Sequence, residues 1–233
     1  MKIAIMQPYF LPYIGYFQLI SSVDKFIILD DVNYIKKGYI NRNAMLLNGI
    51  EHKFTLPLEK ASQNKLIREI DVTSNSKELS KQLRLLEVAY AKAPYFKMVF
   101  PLLEKIYSFK ELNLSKFVVY SIKLICSYLE ISTEIVESSG AFDKNGLKGE
   151  DRIIDIVKIN QGKEYINAIG GKMLYNPGSF KDNEIELYFI DQGRFLYKQF
   201  SNEFVPYLSV IDVLMFNSKH ETQHLITNYN LVK

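Results

Sequence analysis

Asp30-Asp31 places two carboxylates side by side at the end of an apolar run. Paired carboxylates of this kind can hold Mg²⁺ together with substrate phosphates, and either one can act as a general base. The same pair also suits a turn or a helix cap. Just downstream, Lys36-Lys37-Gly38-Tyr39-Ile40-Asn41-Arg42-Asn43 packs three cations, a glycine, an aromatic ring and two amides into one stretch. Lys36, Lys37 and Arg42 are suited to grip a diphosphate while Tyr39 packs against a ring. A solvated basic loop would have the same composition. Gly170-Gly171-Lys172 suggests a phosphate or carboxylate contact, although it is neither a Walker A loop nor a dinucleotide fingerprint. Leu147 to Arg152 starts a helix with Lys148 and Gly149, a ready anion site, and Glu150 and Asp151 equally suit an ordinary first turn.

His220-Glu221-Thr222-Gln223-His224 matches H-E-x-x-H, which on a helix sets both imidazoles on one face with a glutamate beside them. The nine residues after His224 contain no His, Asp, Glu or Cys, and the only other histidine is His52. The match reads as chance, and no metal site is assigned. Cys126, the single cysteine, lies in an apolar helical pattern and reads as a core thiol in a reducing compartment.

These residues need a scaffold, and hydrophobic periodicity supplies one. Lys2 to Met6 and Lys25 to Leu29 are short apolar runs that read as buried strands, with a helix over Ile14 to Ile20 between them. After the Asn48-Gly49 turn signal, His52 to Leu58 alternates as a half-exposed or edge strand. Ser76 to Tyr107 has helical periodicity broken at Pro94, and Leu114 to Leu129 continues as a helix capped by Asn113 or Ser115. Strands at Thr133 to Val136, Glu164 to Asn167 and Ile185 to Ile190 then alternate with a helix at Gly149 to Lys158. Gly170 to Lys181 is loop and short helix. Helices at Leu208 to Phe216 and Ser218 to Tyr229 end the chain. This alternation predicts an α/β fold with a mostly parallel open sheet and flanking helices. One continuous domain over residues 1–233 is expected, with a helical insertion at about 76–130.

In open α/β sheets ligands bind beyond the carboxyl ends of the strands. The residues at those ends are Gln7 and Tyr9, Asp30 and Asp31, Ser138 and Ser139, Asn167 with Gly170 to Lys172, and Asp191 and Gln192. A single cleft lined by many of them is the expectation.

Composition sets the outer limits. The chain has 233 residues, 48% hydrophobic and 24% charged, which excludes a disordered chain and suffices for a large core without disulfides. A net charge of +3 with mixed signs is too weak for a nucleic-acid binder. Met1 to Phe17 lacks a signal-peptide pattern, and the longest apolar stretch, Phe117 to Leu129, is too short for a membrane span. A soluble, cytoplasmic protein is expected. Sixteen Tyr and fifteen Phe without a Trp make the chain rich in aromatics, with tyrosines clustered in the first 40 residues. Tyrosine suits pocket walls and wet core edges alike.

The long opening Met1-Lys2-Ile3-Ala4-Ile5-Met6-Gln7-Pro8-Tyr9-Phe10-Leu11-Pro12-Tyr13-Ile14-Gly15-Tyr16-Phe17 resembles that of the WbqC-like family. The likeness continues through Asp30-Asp31-Val32, Tyr34 to Asn43, Glu164 to Asn167, Gly171-Lys172 and Leu208 to Leu214. It implies a place in O-antigen or other surface-polysaccharide biosynthesis, where a glycine transferase role acting on an amino sugar has been suggested. A more distant resemblance joins the first strand, proline loop and helix entry to the HxGH nucleotidyltransferases, implying a nucleotidyltransferase-like or Rossmann-like core. Tyr13 and Tyr16 then stand where that family has histidines. Tyrosine hydroxyls can donate to phosphate but carry no positive charge at neutral pH.

Together these readings anticipate an aminoacyl or acyl transferase acting on a nucleotide-linked amino sugar. Asp30 or Asp31 would be the base, with Asn41, Asn167 or Gln7 as oxyanion donors. Gln7, Tyr9, Tyr13, Tyr16, Lys36, Lys37, Arg42, Asn167 and Lys172 would bind substrate. The donor would be an acyl carrier protein or coenzyme A thioester, or an acyl adenylate made from ATP with Mg²⁺. A non-catalytic sugar-nucleotide-binding or assembly protein and an adenylate-forming enzyme are the alternatives, and a homodimer is compatible with the tyrosine-rich composition.

Overall fold

The strand β1 (Lys2–Met6) is the centre of the molecule in the computed structural model, which describes residues 1–193, 195–200 and 203–233. Its middle residues are buried because helices cover both faces of the sheet, which is why the run reads as continuously apolar. Ile3 and Ile5 point to one face and Ala4 to the other, as the two-residue period of a strand requires.

The chain leaves β1 through a proline-rich loop, enters α1 (Ile14–Ser21) and returns as β2 (Lys25–Ile28), parallel to β1. A hairpin follows, β3 (Arg42–Leu47) with β4 (Ile50–Thr55), and then the short pair β5 (Leu58–Glu59) and β6 (Asp71–Val72). Asn48 and Gly49 join the hairpin with φ of 53° and 80°, the left-handed geometry of a tight two-residue turn. Next come α2 (Ser76–Tyr90), α3 (Phe96–Tyr107) and α4 (Leu114–Tyr128). Asn113 caps α4, its side chain accepting from Lys116 N at 3.2 Å. The remainder runs β7 (Glu134–Val136), α5 (Gly149–Ile159), β8 (Glu164–Ala168), α6 (Pro177–Asp182), β9 (Glu186–Asp191), α7 (Val210–Phe216), α8 (Lys219–Thr227) and β10 (Asn230–Val232).

The main sheet is ordered β10-β9-β8-β1-β2-β7, all parallel except β10, which runs antiparallel along the edge of β9. The sheet is therefore α/β, mostly parallel and open. Its parallel strands extend outward from β1, first through β2 to β7 and then through β8 to β9. Helices α5 and α6 pack with Ile3, Ile5, Tyr165 and Leu187 on one face, while α1, α4, α7 and α8 enclose the larger core on the other.

The half-exposed or edge strand expected at His52 to Leu58 falls on β4, which is mostly exposed and pairs with β3, a strand hidden in the polar-looking stretch that opens with Arg42 and Asn43. One expectation needs correcting. The final helix stops at Thr227, and Asn230 to Val232 turn back as a strand against Phe189 to Asp191.

A candidate cleft at the switch point of the sheet

Because β2 and β8 flank β1 on opposite sides, the chain connections diverge at the carboxyl end of β1 and leave a crevice there. A cavity of about 560 Å³ fills it. Gln7, Tyr9 and Tyr13 line it from the loop after β1, Asn167 and Gly170-Gly171 from the end of β8, and Gln192 from the end of β9. Tyr39 and Tyr207 complete its rim.

The tyrosines form a cage. Tyr9 and Tyr39 lie 5.5 Å apart between ring centroids, and Tyr13 and Tyr39 6.1 Å. Burial, reinforced by the neighbouring tyrosines, pushes the Tyr13 hydroxyl up to about 12 and raises Tyr9 in the same way. Both therefore remain neutral hydrogen-bond donors at physiological pH. Tyr16 is different. It is fully buried and donates to the Gln7 carbonyl at 2.9 Å, so it fixes the loop from behind the cleft.

Two close approaches shape the walls. A Cβ on Gly15 would lie 2.5 Å from Gln192 Oε1 and 2.7 Å from the Tyr13 ring, so only glycine lets Gln192 rest on the first turn of α1. A Cβ on Gly171 would lie 2.8 Å from Asn167 Nδ2. Asn167 is buried at the end of β8, and its Oδ1 accepts from Ala168 N at 2.8 Å.

The cations lie beside the cleft. Lys37, Arg42 and Lys53 line an adjoining recess with Glu51 and Asn43, and Tyr39 and Tyr207 stand between the two spaces. Arg42 donates to the Lys37 carbonyl, folding the basic loop over the start of β3. Lys36 is exposed on that loop and lines neither space. Lys172 also lies outside the cleft, donating to the Lys233 carbonyl at 2.7 Å.

Asp30 and Asp31 are not part of the lining. Only 3% and 2% exposed, they hold structure together at the end of β2. Asp30 accepts from Ser115 Oγ at 2.8 Å and Ser138 Oγ at 2.6 Å, tying α4 and the loop after β7 to β2. Asp31 accepts from Ser139 Oγ and lies 3.5 Å from Lys144 Nζ and 3.8 Å from Arg152 Nη2. Asn41 is used in a similar way, accepting from the Tyr34 hydroxyl at 2.8 Å and donating to the Leu56 carbonyl at 2.9 Å. The switch-point cleft thus holds Gln7, Tyr9, Tyr13 and Asn167 from the expected set, while Lys37 and Arg42 border it.

The model of the WbqC-like protein family matches residues 7–224, which takes in every cleft and recess residue named above. The chain belongs to the WbqC-like protein family. It is also similar to a protein of Mycobacterium tuberculosis (strain ATCC 25618 / H37Rv) described as uncharacterized, with 32% identity over 222 residues covering 93% of each chain. No solved structure matches significantly.

Elsewhere in this WbqC-like chain, His220 and His224 are exposed on α8 with rings 4.5 Å apart, and Glu221 accepts from Ser218 N at 2.7 Å in a capping box. No group of three metal-ligating side chains occurs among the described residues, nor does a helix long and apolar enough to cross a membrane. Tyr175, Tyr207 and Lys53 are further wall residues that no motif or strand-end position marks in the sequence. Tyr207 has φ of 60°, and its position on the long connection after β9 carries no periodic signal.

Proposed function

We propose that the cleft binds a nucleotide-linked amino sugar and supports transfer of an acyl or aminoacyl group to the sugar nitrogen, for surface-polysaccharide assembly. The observation that carries this reading is the pairing of a tyrosine-caged, amide-lined cleft with a cationic recess across one shared wall, Tyr39 and Tyr207. Aromatic rings and backbone-rich walls suit a base and a sugar, and Lys37, Arg42 and Lys53 suit a diphosphate. A strand order that opens outward from β1 is also what a nucleotidyltransferase-like core would need.

In the transfer, the neutral amine attacks the acyl carbonyl. A C–N bond forms, the bond to the donor breaks, and the leaving atom takes the electron pair. Neutral amides and tyrosine hydroxyls would be the donors for the transient oxyanion, and Gln7, Tyr13 and Gln192 line the cleft and have the chemistry for it. The lining contains no carboxylate, imidazole or thiol among the described residues, so the ammonium gives up its proton to water before attack.

The lack of a carboxylate, imidazole or thiol among the described lining residues also suits a second reading, a sugar-nucleotide-binding protein without turnover. Calorimetric titration with UDP-glucosamine, against Arg42→Ala and Tyr9→Ala, tests the shared premise. Binding that weakens about tenfold or more in both variants supports it, and no binding by the native chain overturns it. Product formation with acyl donors then separates transferase from binder.

A further inference from the structure

A second cavity of about 400 Å³ adjoins the cleft, and its chemistry differs from the first. The two share Tyr13, Gln192 and Tyr207. Beyond that boundary the walls are Ile14 of α1, Val213 of α7, and Phe195, Leu196, Phe204 and Leu208 from the connection between β9 and α7. No charged side chain lines it among the described residues. Its volume falls within the range of small-ligand pockets, roughly 300–1,000 Å³.

The outer wall is held firmly. Tyr197 and Gln199 each donate to Asp212 Oδ2 at 2.7 Å, and the Gln199 amide closes on Val205 through bonds of 3.0 and 2.8 Å. These bonds tie the described wall residues around Tyr197, Gln199 and Val205 to Asp212 of α7. Apolar surface on its lining is nevertheless left uncovered, with Leu196 and Tyr207 each 78% exposed. Exposed large apolar side chains on a cavity wall suit contact with an apolar ligand.

We propose that this chamber receives the apolar acyl chain of an acyl thioester donor and presents its carbonyl to the sugar amine at the boundary formed by Tyr13 and Gln192. The assignment rests on the transferase reading above and narrows it, because a chamber of this size and polarity selects a hydrocarbon acyl group over glycyl. The C–N bond forms as the C–S bond breaks, and the sulfur takes the electron pair and then the proton that the nitrogen gives up in becoming an amide. Gly15 is part of the device. Its missing side chain lets the Gln192 amide sit at the junction of the two spaces.

The probes are S-octanoyl-N-acetylcysteamine and its S-acetyl counterpart, titrated separately from UDP-glucosamine against the full chain. Each buried methylene is worth about fourfold in affinity, so the octanoyl probe should bind at least tenfold more tightly. Val213→Phe fills the chamber and should abolish that advantage. Leu196→Asp, on the exposed rim, does not threaten the core and should reduce octanoyl binding several-fold. Both variants should keep native affinity for UDP-glucosamine. Equal binding of the two probes, or octanoyl binding unchanged in Leu196→Asp and in folded Val213→Phe, overturns the assignment. Octanoyl binding that is lost in both variants, in a protein with no affinity for UDP-glucosamine, supports the acyl chamber and overturns the sugar reading alone.

Discussion

Asn43 Nδ2 donates to the carbonyl of Leu11 at 2.8 Å, joining the first strand of the hairpin to the loop that leaves β1. Leu11 has φ of 44°, a left-handed conformation that a leucine adopts only at a cost. Ser209 Oγ donates to the same carbonyl at 2.6 Å, so two side chains from distant parts of the chain hold one strained residue. Tyr9 and Tyr13 stand on either side of it and line the cleft. The shape of the binding loop is thus enforced from outside the loop.

Asn43→Ala should therefore destabilise the fold by about 2 kcal/mol, since it leaves a buried carbonyl with one donor fewer and removes a buried amide. Urea unfolding measures this. Affinity for UDP-glucosamine should fall in the folded variant, although Asn43 lies in the neighbouring recess and not in the cleft lining.

Asp31→Ala should cost about 3–5 kcal/mol, because it leaves the buried Arg152 guanidinium without its carboxylate on that side. Asp30→Asn is the informative partner. Where Asp30 serves only to hold Ser115 and Ser138, ligand affinity and any turnover of the folded variant stay near native. A collapse of turnover with native stability would restore Asp30 as a base.

Asp212 supplies a pH dependence. Burial raises its pKa, and bonds from Tyr197, Gln199 and Tyr90 pull it partly back. With the folded value above the unfolded one, its own contribution is present below the unfolded value and lost as pH rises through the folded one. Tyr197→Phe removes a donor to the ionised form and should cost about 2 kcal/mol near pH 7. That penalty should shrink as the pH falls and Asp212 takes up its proton, which denaturant melts between pH 4 and 8 would show.

Cys126 should resist thiol reagents in the native state. It is buried in α4, and burial pushes its thiol up to about 12. Its rate of reaction with Ellman's reagent at pH 8 should follow the unfolding of the surrounding core. Prompt labelling of the whole population would contradict this packing.

The sheet was legible because its strands carry the signal of double burial. Lys2 to Met6 and Lys25 to Ile28 are apolar on both faces and cannot be mistaken for half-exposed strands. The hairpin strand β3 was not, because its first two residues, Arg42 and Asn43, look like solvent-facing ligands. Asn41, Asp30 and Asp31 lie outside the cleft lining, which their residue types do not reveal. A side chain that satisfies buried backbone or hydroxyl groups has the same residue type as one that waits for a ligand, and only burial tells them apart. That Gln7, Tyr9, Tyr13 and Asn167 share one cleft could be anticipated, because strand ends in a parallel sheet converge on one edge.

The pairing of β1 with β8, Lys2 opposite Glu164 and Ile3 opposite Tyr165, joins segments some 160 residues apart. Gln7, Tyr9, Tyr13 and Tyr39 come from the first strand–helix unit and its following loop, while Asn167, Gly171, Gln192 and Tyr207 come from the far end of the chain. Neither half is a site. The cleft therefore exists only where this long-range pairing has formed. A chain in which β1 and β8 are apart presents two separate half-walls and no cavity between them.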